Sequence, residues 1–112
     1  MAVVRVEGLP DEPAAAAHAF YQRIGQLLKS LAAGENMTLI FPPADHTHTG
    51  WRLAAVQSLA REQAPQRVNA IAGGHAAAVA AALAYLAAAD GVTGQYLALD
   101  DRGAGFVIQS SA

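Results

Sequence analysis

Residues 34–74, GENMTLIFPPADHTHTGWRLAAVQSLAREQAPQRVNAIAGG, read as a strand, a loop, a helix and a second strand. Met37-Thr38-Leu39-Ile40-Phe41 is an apolar run too brief for a helix, and Pro42-Pro43 ends it because proline supplies no ladder donor. A helix follows from about Gly50 to Gln63, with Leu53, Val56 and Ala60 on one side and Pro65 closing it. Arg67 to Ala72 gives another short apolar strand, punctuated by Gly73-Gly74. Two strands separated by one helix of this length imply parallel pairing through a crossover.

The same alternation extends in both directions. Phe20, Ile24, Leu27 and Leu31 recur at spacings of three and four, which predicts a helix from about Glu12 to Ala33. Asp11 before Pro13 is its start signal and Gly34 its stop. Ala2 to Leu9 reads as an edge strand, because Arg5 and Glu7 stand between its valines. Downstream, His75 to Ala89 is an alanine-rich helix carrying Val79, Leu83 and Leu86, and Gln95 to Leu99 is the next strand. Gly105 to Gln109 offers a short terminal one. The order β-α-β-α-β-α-β predicts a mainly parallel sheet, right-handed crossovers and a three-layer α/β sandwich.

Composition sets the bounds. The chain has 112 residues, 54% of them hydrophobic and 14% charged, a net charge of −2 and no cysteine. This predicts a single domain over residues 1–112, long enough to bury about 65% of the surface its unfolded chain exposes. Thinly spread Lys and Arg give no basic stripe for nucleic acid and no polybasic run for a membrane surface. Without cysteine there is no thiol catalysis, disulfide or thiolate metal site. The early apolar run is broken by Arg5 and Glu7, so no signal peptide is read and a cytoplasmic location is expected.

Two blocks carry a family resemblance. Ser58-Leu59-Ala60-Arg61-Glu62 with Ala64-Pro65 and Arg67-Val68-Asn69-Ala70-Ile71 is the first, and Val92-Thr93-Gly94-Gln95 leading to Leu99-Asp100 is the second. In this order, with a helix between them, they resemble the short-chain dehydrogenase/reductase family. Leu27 to Phe41 looks like that family's central helix and following strand, so the resemblance spans about residues 14–103. It implies a Rossmann-like half fold similar to the carboxy-terminal half of such an enzyme.

The resemblance also implies what is missing. The family binds its dinucleotide at a glycine-rich turn after the first strand of the other half, whereas here Gly8-Leu9-Pro10 has a lone glycine that reads as a turn. Laid on this chain without gaps, the family's catalytic Asn falls at Ala15, its Ser at Pro43, and its Tyr and Lys at Asp45 and Thr49. Proton transfer during hydride transfer needs a tyrosine tuned by a neighbouring lysine, which Asp and Thr do not reproduce. Arg52 lies near the lysine position, but a guanidinium does not supply the same tuning. The family's substrate lid is replaced by Gly73-Gly74 running almost directly into the third helix. The expectation is a protein without oxidoreductase activity and without a cofactor.

Other constellations are weaker. Asp45-His46-Thr47-His48 pairs two histidines with a carboxylate, a set that suits zinc, copper or nickel and would allow metal-assisted hydrolysis, but no third fixed ligand is visible. The plainer reading is a solvated loop in which Thr47 or Thr49 caps the second helix. Gly73, Gly74 and His75 lie between a strand and a helix at the carboxyl end of the sheet, the best candidate for a small-ligand or anion site, although a tight turn explains them as well. His18 is expected to face solvent or an interface, and Asp100-Asp101 to form a turn before Gly103.

Surfaces carry the more positive expectation. Tyr21, Gly25, Leu28 and Ala32 make a second row on the first helix, and Trp51 and Ala55 stand outside the stripe of the second. In the resembled family these helices pair across a two-fold axis. The resemblance therefore implies a homodimer, or an accessory subunit on a full-length dehydrogenase, and a C2 dimer is the commonest oligomer for a small chain. A small-ligand or anion-binding protein is the alternative.

Overall fold

The computed structural model of the chain describes residues 1–100 and 105–109, with Asp100 and 105–109 as backbone. Its elements are β1 (Ala2–Arg5), α1 (Pro13–Ser30), β2 (Met37–Phe41), a 3-10 turn (His46–His48), α2 (Thr49–Gln63), β3 (Val68–Ala72), α3 (Ala76–Ala88), β4 (Tyr96–Asp100) and β5 (Gly105–Gln109). They form one sheet in the order β1-β2-β3-β4-β5. The first three pairings are parallel, with Met37 beside Val68 and Ala70 beside Tyr96, and β5 runs antiparallel to β4. The Asp100-Asp101 turn before Gly103 lies outside the described residues, apart from the backbone of Asp100.

Local chemistry sets the helix ends. Glu12, rather than Asp11, caps α1: its carboxylate accepts from the amides of Ala14 and Ala15 at 3.1 and 2.8 Å. The helix stops at Ser30, short of Ala33, where Leu31 turns to extended geometry and the Ser30 hydroxyl donates to the Leu27 carbonyl. β1 stops at Arg5, short of Leu9, because Gly8 adopts a φ of 73° and the Arg23 guanidinium takes the carbonyls of Glu7 and Gly8. Asp45 caps the 3-10 turn by accepting from the Thr47 amide at 2.9 Å, so neither Thr47 nor Thr49 caps α2.

Alternation along the strands separates two cores. Met37, Leu39, Phe41, Val68, Ala70 and Tyr96 pack with Phe20 and Ile24 of α1 and Ala55, Val56 and Leu59 of α2. On the other face, Ile71 and Leu97 pack with Ala82 and Leu86 of α3. The three layers are thus α1 with α2, the sheet, and α3. Because every step from β1 to β4 advances in one direction across the sheet, the third crossover has the opposite hand to the first two. This corrects the expectation that all three are right-handed. The physical reason is occupancy: α2 already covers β3 and β4 on the first face, so α3 finds bare apolar surface only on the second.

Candidate functional site

The residues that carry the family resemblance are structural ties. Buried Asn69 donates from Nδ2 to the Val92 carbonyl at 2.9 Å and accepts from the Gln95 amide at 3.0 Å. The Thr93 hydroxyl accepts from the Val68 amide, and the Gly94 amide donates to the Val68 carbonyl at 2.7 Å. Arg67 donates to the carbonyls of Leu86 and Ala89 at 3.0 and 2.7 Å, placing a cation on the negative end of α3. Together these bonds fasten the loop between α3 and β4 to β3, so the two blocks meet in the fold.

The positions matched to the family's catalytic side chains are dispersed around the carboxyl ends of the strands. Ala15 is half-buried in the first turn of α1, Pro43 is exposed after β2, Asp45 caps the 3-10 turn and Thr49 begins α2. Hydrogen bonds from the Thr47 hydroxyl and then the Thr47 amide hold the Asp45 carboxyl below the usual carboxylate range. This keeps it an anion that accepts, rather than an acid that donates.

The Asp45, His46 and His48 set does not converge on a metal. His48 is buried and uses both ring nitrogens: Trp51 Nε1, which can only donate, lies 2.9 Å from Nδ1, and Nε2 then donates to the Asp11 carbonyl at 2.9 Å. His46 stays exposed. Among the described residues no cluster of three or more metal-ligating side chains forms.

Gly73 and Gly74 line a hollow of about 230 Å3 with Arg5, Glu7 and Pro43, whereas His75 is exposed at the start of α3 and makes no side-chain cap. Packing accounts for both glycines. A Cβ on Gly73 would stand 2.9 Å from Leu99 Cβ, and one on Gly74 would stand 3.2 Å from Pro43 Cγ. Gly73→Ala is therefore expected to lose about 1–3 kcal/mol of stability, seen as a lower urea midpoint at unchanged slope. An unchanged midpoint would refute packing as the reason for this glycine.

The helix surface differs in part from expectation. Tyr21 is 49% exposed, and Gly25 is exposed with open space around its Cα. Leu28 is half-buried against the core, and Ala32 lies beyond the end of α1. Trp51 points inward, with ring centroids 5.7 Å from Phe20 and 5.6 Å from Phe41, and Ala55 is fully buried. Trp51 and Ala55 are thus not part of an exposed face. α2 is rotated so that Arg52, Ala55, Val56, Leu59 and Ala60 face inward while Leu53 is only half-buried. His18 is exposed, as expected.

That rotation buries Arg52, which the sequence does not single out as an inward residue. Its side chain is 3% exposed. Nη1 donates to the Pro42 carbonyl at 2.9 Å and to the Tyr96 hydroxyl at 3.2 Å, and Cζ lies 4.6 Å above the Phe41 ring. The usable signal in the sequence was spacing: 52, 55, 56 and 59 make a helical stripe as regular as the one containing Leu53.

No curated protein and no solved structure gives a significant match to the chain. A family model described as SDR-like, short chain dehydrogenase-like protein, matches residues 4–99, from within β1 to within β4. With the Asn69 and Thr93 ties, the sheet order and the helices all inside that span, the chain belongs to the short-chain dehydrogenase-like family.

Proposed function

We propose that this family member acts by association rather than by oxidoreductase chemistry, as a homodimer or as an accessory subunit paired with a full-length dehydrogenase. The observation that supports this reading is the outward row on α1. Tyr21 presents nearly half of its surface beside the open Gly25, while Leu28, one turn on, is half-buried against the core and adds only part of its side chain to that face. Tyrosine on a rigid helix is a favoured anchor at protein interfaces, and a glycine beside it permits close approach of a partner helix. The Ala15, Pro43, Asp45 and Thr49 positions support the non-catalytic part of the reading, since none supplies a phenol or an amine.

Gly25→Arg tests it. A side chain built there meets nothing within 4 Å, so the fold is expected to persist with an unchanged circular dichroism spectrum. Sedimentation should then show a monomer where the native chain is dimeric, or loss of capture of a full-length dehydrogenase. A dimer of unchanged affinity would overturn the interface. No helix among the described residues is long and apolar enough to cross a membrane.

Small-ligand or anion binding at the Gly73-Gly74 hollow is a second reading, supported by Arg5 on its wall. An Arg5→Gln chain that responds to added anions as the native chain does would set it aside.

A further inference from the structure

A hollow of about 430 Å3 lies between α1 and the free edge of the sheet, where β1 is the outermost strand. Its lining is mainly apolar, supplied by Val6 and Phe20 of the core and by Leu27, which packs half-buried against them. Four exposed polar residues make the rim: Arg5 from β1, and Gln22, Arg23 and Gln26 from α1. At about 3.6 residues per turn, Gln22, Arg23 and Gln26 fall on the other flank of α1 from Tyr21 and Gly25. The hollow is therefore separate from the row assigned to association.

The rim carries charge of one sign. Both ionised side chains are arginines, and no aspartate or glutamate lines the hollow among the described residues, in a chain whose net charge is −2. Arg23 is also held in place, since Nη1 donates to the Glu7 carbonyl and Nη2 to the Gly8 carbonyl. Those bonds use two of the five guanidinium donors and leave three on an exposed side chain. Carbonyls fix the cation without neutralising it, so little side-chain freedom is lost when an anion arrives.

We infer that this hollow binds an amphipathic monocarboxylate with an unbranched tail of about eight carbons, its carboxylate at Arg23 and its tail over Val6, Phe20 and Leu27. Three features set the class. The volume lies within the range of about 300–1,000 Å3 usual for ligand sites and equals that of roughly 14 liquid waters, which accommodates about ten heavy atoms. The apolar lining removes a hydrocarbon tail from water but offers nothing to a second polar group inside the hollow. The guanidinium selects an anion at the mouth. Arg5 borders the Gly73-Gly74 hollow as well, so Arg23 and Gln26, which border only this one of the two, are the residues to change.

The test is isothermal titration calorimetry of the full chain with sodium octanoate below micelle formation, with 1-octanol and sodium acetate as comparison ligands. Saturable binding of one octanoate per chain is expected, with 1-octanol and acetate each weaker by at least about tenfold, because the first lacks the charge and the second the tail. Arg23→Met should weaken octanoate by at least about tenfold. If that variant does not fold, Gln26→Glu decides, because it places a carboxylate on an exposed part of the rim and should weaken octanoate about fivefold. Gly74→Ala, which narrows only the other hollow, and Gly25→Arg, on the other flank of α1, should bind octanoate as the native chain does. The inference is overturned by any one of four results. These are no saturable octanoate binding, as when a strand of a second copy fills the hollow; equal binding of 1-octanol or acetate; an affinity unchanged in Gln26→Glu or in a folded Arg23→Met chain; and a loss of binding in Gly74→Ala.

Discussion

Ala55→Arg is expected to abolish cooperative folding, although the sequence alone would place it on an open helix face beside Trp51. Ala55 is fully buried between α2 and the sheet. An arginine there would bring a charge into an apolar core, at several kcal/mol for the uncompensated ion, and would overpack it by about 1–3 kcal/mol more. Against a total stability of about 5–15 kcal/mol for a domain, the two together remove most or all of it. Circular dichroism melts should show no sharp transition and gel filtration should show aggregate. A well-folded Ala55→Arg chain would mean that α2 is rotated by about half a turn from the position described. Gly25→Arg, on the exposed side of α1, is the contrasting case, because the same charge placed there remains in water.

Phe41→Ala should produce the next largest loss, about 3–5 kcal/mol from the cavity and lost contact alone. The Phe41 ring is where α1, α2 and the sheet meet. Its centroid lies 5.6 Å from Phe20, 5.6 Å from Trp51 and 6.4 Å from Tyr96, and the Arg52 guanidinium sits over its face. Removing the ring also withdraws the π face from a buried cation, which adds up to about 2 kcal/mol where the cation is desolvated. Phe41→Leu separates the two contributions, since it keeps most of the apolar volume and loses the face. Chemical denaturation is the measurement. If Phe41→Ala loses less than about 1.5 kcal/mol, the packing of the two helices on β2 is not as described.

Much of the fold was legible because the strands are short and continuous in hydrophobicity. Met37–Phe41 is a strand over the same five residues that the sequence marks, and β3 and β4 shift by one residue at their starts. The terminal strand at Gly105–Gln109 also forms, paired antiparallel to β4. Helix ends were less legible, since they depend on which side chain reaches an unpaired amide: Glu12 rather than Asp11 caps α1, and Asp45 caps the turn before α2. The family blocks were readable as motifs. Their role was not, because the partners of Asn69 and Arg67 lie 19 to 26 residues away in the chain.

The candidate site was legible only in outline. Gly73 and Gly74 do lie at the carboxyl edge of the sheet, but contact with Leu99 and Pro43 accounts for them, and His48 is held by Asp11 and Trp51 rather than available to a metal. In an alanine-rich helix such as α2, several stripes are nearly equal in hydrophobicity. The face that turns inward is then chosen by contacts with α1 and the sheet.

The sequence by itself determined the order of the elements, the parallel core of the sheet and the family, because these follow from local periodicity and contiguous motifs. Only the tertiary structure decided that α3 crosses to the opposite face, that Ala55 and Trp51 turn inward, and that Arg52 is buried with its Nε unpaired. Each of those outcomes depends on which surface neighbouring elements have already covered and on carbonyls and rings supplied by distant segments, quantities that exist only once the chain has packed.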